Sequence, residues 1–219
     1  GTYELMDRVT SAFPHILFES CAGGGGRFDP GMLYYMPQTW ASDNTDPIER
    51  LTIQFGTSMC YPASSMGAHV SACDRTGIET KAAVAMAGTF GYELDPKEMT
   101  DEDKEKVKEQ VKDYHRFYNV IHFGDLYRII APTDDEFKCA WEHVSKDKSE
   151  ALLTVVIKNR APHDFLLIKM KGLDPEKMYR DETDGEIYSG ALLMNAGINL
   201  TDGTLSAGKS FVRYFTEVK

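Results

Sequence analysis

The segment Trp40-Ala-Ser-Asp-Asn-Thr-Asp-Pro-Ile-Glu-Arg50 holds two aspartates where a short strand would pass into a helix. Asp46, Pro47 and Glu49 are typical of a helix start, with Asp46 as the N-cap and Glu49 closing a capping box. These features give Asp46 a structural role. Asp43, three residues earlier, is not explained by the helix start and is therefore the stronger candidate for chemistry.

Asp43 would lie just past the carboxyl end of a strand, where barrel enzymes place their catalytic groups. Trp40 lies close by in the sequence. An apolar ring beside a carboxyl group disfavours the charged form and raises the pKa, as a general acid requires. From this pattern alone, however, a solvated turn residue is the more common role of a loop aspartate, so both roles stay open.

Four consecutive glycines, residues 23–26, lie in the segment Cys21-Ala-Gly-Gly-Gly-Gly-Arg-Phe-Asp29-Pro30. Glycines let the backbone approach a ligand closely and present unobstructed N–H groups. The run matches neither the P-loop pattern nor G-x-G-x-x-G, so nucleotide binding is not favoured. Asp29 before Pro30 is predicted to be another N-cap. Cys21 has no nearby histidine to activate it as a nucleophile. A packing role is therefore the first interpretation of Cys21, and a polar contact with a ligand is the second.

The histidines predict no metal site. His69, in Gly-Ala-His-Val, could line a site, although a structural hydrogen bond is the simpler role. The other histidines are scattered without metal-ligand spacing: His15, His115, His122, His143 and His163. A metal site needs at least three converging ligands, so we expect no metal and no other cofactor. Trp141 is expected in a core.

Up to about residue 118, short apolar strands alternate with loops and helices, which predicts a parallel α/β sheet. We count four such units. The second half of a (β/α)8 TIM-type barrel is the economical interpretation, and an open doubly wound sheet is its competitor. On the last helix, Val107, Val111 and Tyr114 are expected to form the apolar face. The predicted strands are Ile16–Phe18, Thr39–Ala41, Met59–Pro62 and Gly88–Glu93; the predicted helices are Met32–Met36, Pro47–Phe55, Lys81–Met86 and Asp101–Tyr118; a long loop is expected over 67–72.

After residue 120 the chain turns to β-rich runs separated by Asp, Gly and Pro turns, which predicts an antiparallel sandwich. We therefore expect residues 1–120 to form the second half of the catalytic barrel and residues 121–219 an all-β antiparallel sandwich domain. The predicted strands are Leu126–Ile130, Leu152–Ile157, Phe165–Met170, Ala191–Met194 and Ser210–Phe215.

The composition excludes several classes of partner. The 219 residues are 42% hydrophobic and 26% charged, as in ordinary globular proteins. A net charge of −10, from 34 acidic and 24 basic side chains, repels phosphate backbones, so we expect no nucleic-acid partner. No apolar run approaches the roughly 20 residues that cross a bilayer, so we expect no membrane association either.

The four cysteines, Cys21, Cys60, Cys73 and Cys139, are far apart and form no C-x-x-C pair. This predicts free thiols in a reducing compartment, and therefore a cytoplasmic protein. The first residues do not form a secretory signal. They lack an initiator Met and open within a helix-like pattern, so we expect the natural protein to have a further N-terminal part.

These segments together resemble glycoside hydrolase family 36, in particular its bacterial α-galactosidases. The similarity is dense to about residue 95 and thinner but collinear beyond it, and a combination of this length is much more specific than a lone glycine motif. The matching stretches are Thr10–Cys21, Gly23–Tyr35, Met36–Trp40, Ser42–Asp43, Ile48–Leu51, Tyr61–His69, Phe90–Leu94 and Gly124–Arg128.

The resemblance implies a retaining hydrolase that removes terminal α-linked galactose from oligosaccharides such as melibiose or raffinose. The family's acid/base is the Asp of Trp-x-Ser-Asp, which falls on Asp43. The resemblance also implies that Cys21, Gly23 and Gly24 bind galactose and that Trp40 helps to wall the subsite. The family's nucleophile belongs to a Lys-Trp-Asp motif on an earlier strand, and this sequence has no such motif. The chain alone is therefore expected to be inactive without the N-terminal portion of the same enzyme.

The resemblance further implies a homo-oligomer, since many of these enzymes are tetramers. Two positions depart from the family's pattern: Ala22 stands where Ser is common, and Asn44 where a second Asp often follows the acid/base. Two alternatives stay open. One is another reaction of the same family, either galactosyl transfer to sucrose or raffinose or removal of N-acetylgalactosamine. The other is a non-catalytic carbohydrate-binding fragment.

Overall fold

Four parallel strands form the sheet of the first part of the chain. The computed structural model describes residues 1–21, 23–26, 28–160, 165–201 and 205–218. The strands lie side by side in chain order and all end at one edge of the sheet, because each connection crosses back before the next strand begins. They are β1 (Glu19–Ser20), β2 (Gln38–Trp40), β3 (Met66–Ser71) and β4 (Thr89–Glu93).

Helices flank these strands in the chain: three of them make the crossovers, one precedes β1 and one follows β4. Asp29, Asp46 and Thr100 each cap a helix by accepting a hydrogen bond from a backbone N–H of its first turn. The helices are α1 (Thr2–Ala12), α2 (Pro30–Tyr35), α3 (Pro47–Ser58), α4 (Ile78–Ala85) and α5 (Asp101–Phe123), with a 3-10 turn at Ala63–Ser65. Among the described residues, no helix is both long and apolar enough to cross a membrane.

The second part consists of antiparallel sheets. Six strands lie in the order β10-β9-β12-β7-β6-β5, and β11 pairs with β8 in a smaller sheet. The elements are β5 (Asp125–Ile130), β6 (Lys138–Val144), β7 (Glu150–Ile157), β8 (Leu167–Ile168), β9 (Met178–Asp181), β10 (Ile187–Ser189), α6 (Gly190–Asn195), β11 (Ile198–Asn199) and β12 (Ser210–Glu217).

Strand β7 joins the two parts because both of its faces are covered. Leu153 belongs to the core inside the antiparallel part, together with Ile168. Leu152 points to the other face and packs in a second cluster with Ala68 of β3 and Phe117 of α5. This double coverage explains why every residue of β7 after the first is buried.

The α/β class, the parallel sheet and the antiparallel second part are confirmed. Most predicted elements are also present, with boundaries shifted by a few residues. Four short segments and one helix face were predicted wrongly. The secondary structure of each of these segments depends on which distant residues pack against it.

The predicted strand Ile16–Phe18 is irregular, and β1 begins only at Glu19. Leu17 is 90% exposed and Ile16 is exposed as well, so the described residues leave most of this apolar run uncovered. The predicted strand Met59–Pro62 is instead the end of α3 and the turn after it. The strand lies at Met66–Ser71, where a loop was expected, because alternate residues of that segment are buried against helices.

The predicted strand Ala191–Met194 is helix α6. Ser189 caps this helix by accepting a hydrogen bond from the N–H of Leu192 at 3.1 Å. Leu193 is buried while Leu192 is 43% exposed, as expected of a short helix with one covered side. On α5, Val111 is exposed, and the buried face continues instead through Phe117 and Ile121.

Candidate active site

Asp43 lies in the loop between β2 and α3, and local hydrogen bonds shape this loop. The Asp46 carboxylate accepts hydrogen bonds from the N–H of Ile48 at 2.8 Å and from that of Glu49 at 3.1 Å, which confirms it as the N-cap. Asp43 is exposed, and its carboxylate makes no hydrogen bond to a described residue. The two neighbouring aspartates therefore differ as predicted: one is used by the helix and the other is available.

The capping box predicted for Glu49 does not form. Its carboxylate accepts a hydrogen bond from Arg75 Nη1 at 3.1 Å. The N–H of Asp46 donates instead to Oδ1 of Asn44 at 3.1 Å. Glu49 therefore pairs with Arg75, which is distant in sequence, and not with the nearby N–H of Asp46. Arg75 is the stronger partner because it carries a charge that the backbone N–H lacks.

The glycine loop packs directly against the loop that carries Asp43. A Cβ atom placed on Gly24 would lie 3.0 Å from the backbone nitrogen of Asp43 and 3.3 Å from its Oδ2. A Cβ on Gly25 would lie 2.7 Å from the carbonyl oxygen of Ala41. Gly23, Gly24 and Gly25 have φ values of 67°, 72° and 86°, which side-chain-bearing residues rarely adopt. The backbone here therefore needs glycine for both space and conformation.

Cys21 follows β1 at the same edge of the sheet, since β1 pairs in parallel with β2. Its thiol is free and exposed, and Cys60, Cys73 and Cys139 are free as well, which confirms the expectation of free thiols. Ala22, the departure from the family pattern that precedes the glycines, lies outside the described residues, as does His163.

Trp40 lies under this edge and is only 9% exposed. The Arg50 guanidinium lies 4.5 Å from the centre of its ring, and the His69 ring is centred 4.6 Å away. A Cβ on Gly67 would lie 2.9 Å from Trp40 Cε3. Most of the indole surface therefore contacts protein, which leaves little of it for a ligand.

His69 and Glu93 add a polar pair that the sequence did not single out. His69 Nδ1 lies 2.8 Å from Glu93 Oε1, and both side chains are partly exposed. Gly91, which pairs with His69 between β3 and β4, leaves room for the imidazole: a Cβ there would lie 2.8 Å from its Cδ2. Side chains alternate between the two faces along β4, so Glu93 lies on the same face as Gly91, the residue that pairs with His69. This alternation is the sequence signal from which the pair could have been predicted.

Among the described residues, no three His, Cys, Asp or Glu side chains converge to hold a metal ion. The charged groups at the edge include two carboxylates, Asp43 and Glu93, and the buried cation Arg50. Burial lowers the pKa of Arg50, and the negative charges of Glu93 and Asp43 oppose that shift. A site of this kind can exchange a proton through an exposed carboxyl group and bind a neutral polar ligand.

Comparisons with known proteins agree with this geometry. The Melibiase family model matches residues 1–124, and the model of the glycosyl hydrolase family 36 C-terminal domain matches residues 138–215. The chain belongs to the Melibiase family, and the resemblance to glycoside hydrolase family 36 is confirmed.

Two curated relatives illustrate the similarity. The chain is 50% identical over 209 residues to α-galactosidase AgaA of Geobacillus stearothermophilus, a match that covers 91% of this chain and 28% of AgaA. It is 45% identical over 226 residues to the bifunctional α-galactosidase/sucrose kinase AgaSK of Mediterraneibacter gnavus, with coverages of 100% and 24%. The chain thus spans about a quarter of the length of these relatives.

A solved structure of an AgaA variant from Geobacillus stearothermophilus, in complex with raffinose, superposes with a TM-score of 0.94 at 45% identity. The match covers 99% of this chain and 31% of that one.

Proposed function

We propose that this chain is part of a retaining α-galactosidase that removes terminal α-linked galactose from raffinose- and melibiose-type oligosaccharides. Asp43 is the acid/base, and Cys21, Gly23, Gly24 and Trp40 contribute to the galactose subsite. The observation that carries the proposal is the close approach of Gly24 to Asp43, where an added Cβ would lie 3.3 Å from Oδ2; it brings the two polar segments to one place. The raffinose complex of the AgaA variant supports the substrate class.

The fold proposal is that the four β/α units are the second half of a (β/α)8 barrel, with an antiparallel β-sandwich after them that includes the short helix α6, and with the boundary near residue 120. The sequential strand order supports a barrel, since a doubly wound sheet reverses its order at a switch point. The exposed Leu17, beside the outer strand β1, supports a further layer on that side.

The reaction needs two carboxyl groups about 5 Å apart. In the first step a carboxylate from outside this sequence attacks the anomeric carbon, the bond to the leaving oxygen breaks, and Asp43 gives its proton to that oxygen. In the second step a water oxygen attacks the same carbon as the ester bond breaks, and a proton of the water returns to Asp43. Without the first carboxylate the chain alone is inactive.

The same proposal includes a cytoplasmic homo-oligomer. The exposed free thiols of Cys21 and Cys60 support a reducing compartment. Light scattering of the reduced full-length protein would test the oligomeric state, and fractionation of the source cells would test the location.

The direct test uses the full-length protein that carries this sequence, with raffinose as substrate and NMR as the readout. Retention predicts that α-galactose appears first and mutarotates afterwards. A first product of β-galactose, or no release of galactose, would contradict the proposal. Parallel assays with an N-acetylgalactosaminide and with sucrose as acceptor separate hydrolysis of galactosides from the other reactions of the family.

A further inference from the structure

Arg50 is a buried cation without a hydrogen-bond partner among the described residues. Its side chain lies in the first turn of α3 and is 2% exposed. Nε, Nη1 and Nη2 are all buried, and none of them donates to a described group. A guanidinium stays charged at physiological pH and carries five N–H donors, so this position is costly for folding.

The surroundings of Arg50 point toward the candidate active site. Its guanidinium lies 4.5 Å from the centre of the Trp40 ring, a favourable cation–π contact. The negative charges that act on it are those of Glu93 and Asp43. The free-energy cost of burying the Arg50 charge is therefore offset mainly by Trp40, Glu93 and Asp43, which belong to the candidate active site.

The other charged groups near this edge are already paired. Glu93 interacts with His69 across β3 and β4. Asp46 and Glu49, at the start of α3, both lie within 3.4 Å of Arg75 Nη1. Glu19 of β1 accepts a hydrogen bond from Gln38. Asp43 alone among these carboxylates has no described hydrogen-bond partner. Its negative charge acts on Arg50 together with that of Glu93, whose effect is the larger of the two.

We propose that Arg50 is a positioning residue for Asp43: from beneath the site it supplies a fixed positive charge and holds the Trp40 ring. The proposal rests on the proposed function. Asp43 becomes negative as its proton moves to the leaving oxygen, and a preorganised cation in a poorly solvated place stabilises that charge without having to reorganise. The natural substrate, whose leaving group needs the proton, should depend on Arg50 more than an activated aryl galactoside does.

Two variants of the full-length protein separate charge from packing. Arg50→Met removes the charge and keeps an unbranched apolar chain against Trp40, whereas Arg50→Lys keeps the charge and loses the planar group. Arg75→Met is the matched control. It also removes a cation that lies next to the start of α3, but this cation pairs with Asp46 and Glu49.

For Arg50→Met we expect kcat/KM for raffinose to fall about 3- to 10-fold, with a smaller fall for an aryl galactoside. The alkaline limb of the pH profile, which reports loss of the catalytic proton, should move to higher pH, because a nearby cation favours the charged form of a carboxyl group. The thermal midpoint should be equal or higher, because an apolar side chain replaces a buried cation. Arg50→Lys should keep the limb near its wild-type position, and Arg75→Met should leave it unchanged.

An unmoved alkaline limb in folded Arg50→Met, or a limb moved equally by Arg75→Met, overturns the proposal. If Arg50→Met does not fold, Arg50→Gln replaces it as the neutral variant. Failure of both to fold makes Arg50 a structural residue and also overturns the proposal. Failure of the proposed function is recognised separately, because the wild-type protein would then release no galactose from raffinose.

Discussion

Gly24 lies so close to Asp43 that it has no room for a side chain: a Cβ on Gly24 would lie 3.0 Å from the backbone nitrogen of Asp43 and 3.3 Å from its Oδ2. The two residues come from loops that follow neighbouring parallel strands, β1 and β2. A ligand bound by the glycine backbone would therefore lie next to the carboxyl group proposed as the acid/base.

Gly24→Ala should impair the site beyond its effect on stability. The added methyl group would strain a φ of 72° and press on Asp43, whereas Gly185→Ala, in the second part of the chain, would strain a similar φ of 81° with no atom within 4 Å. Both variants should lose about 1–2 kcal/mol of stability, but only Gly24→Ala should reduce kcat for raffinose about tenfold or more, since small displacements of a catalytic group cost that much. Thermal unfolding and steady-state kinetics check this, and equal kinetics for the two variants would contradict it.

Asp43→Ala in the full-length protein should reduce hydrolysis of raffinose by about 10²–10⁴-fold, the usual contribution of a general acid/base. An activated aryl galactoside needs no proton for departure, so its first step should suffer less and a glycosyl-enzyme should accumulate. Azide needs no deprotonation and should restore turnover, with a galactosyl azide as the product. Mass spectrometry of the enzyme and its product is the measurement.

Asp46→Ala is the control for that experiment. It removes the cap of α3, which should cost about 1 kcal/mol of stability and leave the reaction largely intact. Loss of chemistry in folded Asp46→Ala, combined with activity of Asp43→Ala on raffinose, would mean that the two roles are reversed.

Glu142→Gln should make stability less sensitive to alkaline pH. Glu142 is fully buried on β6; Oε1 accepts from the N–H of Lys171 at 2.5 Å, and Oε2 has no partner among the described residues. Burial raises the pKa of Glu142 from 4.5 to about 8, against a smaller opposing effect of Lys171. The folded state therefore holds a proton that the unfolded state releases above pH 4.5, so stability falls as pH rises from 4.5 to about 8.

The variant lacks this titration, so its thermal midpoint relative to wild type should increase from pH 5 to pH 8, by the equivalent of a few kcal/mol at most. A constant difference between the two proteins over this range would show that the carboxyl group is already ionised.

His143→Phe should make stability less sensitive to acidic pH. His143 is buried next to Glu142, and neither ring nitrogen has a partner among the described residues. Burial lowers the pKa of His143 from 6.5 to about 4, with a further contribution from His122. Its stabilising contribution is present above pH 6.5 and is lost as pH falls toward 4. The variant should keep its thermal midpoint over this range better than wild type does, while His115→Gln, on the exposed side of α5, should follow wild type.

Features that depend on nearby residues were predictable from the sequence. The caps at Asp29 and Asp46 bond to backbone groups two or three residues away, so their spacing to Pro30 and Pro47 was sufficient. The long amphipathic α5 and the apolar β7 were equally clear. Asp43 became a candidate by elimination, because the helix start explained its neighbour, and the motif resemblance supplied its role.

Features that depend on distant contacts were decided only by the tertiary structure. The segment Met66–Ser71 is a strand because helices cover its alternate residues, and Ala191–Met194 is a helix although its composition also suits a strand. The pairing of His69 with Glu93 and the burial of Arg50 beneath Trp40 join residues from different strands and helices. A one-dimensional pattern records how often apolar and polar residues recur, but it does not record which surface each of them meets. Helix caps could therefore be read from the sequence, whereas the capping box at Glu49, which Arg75 displaces, and the electrostatics of the site required the fold.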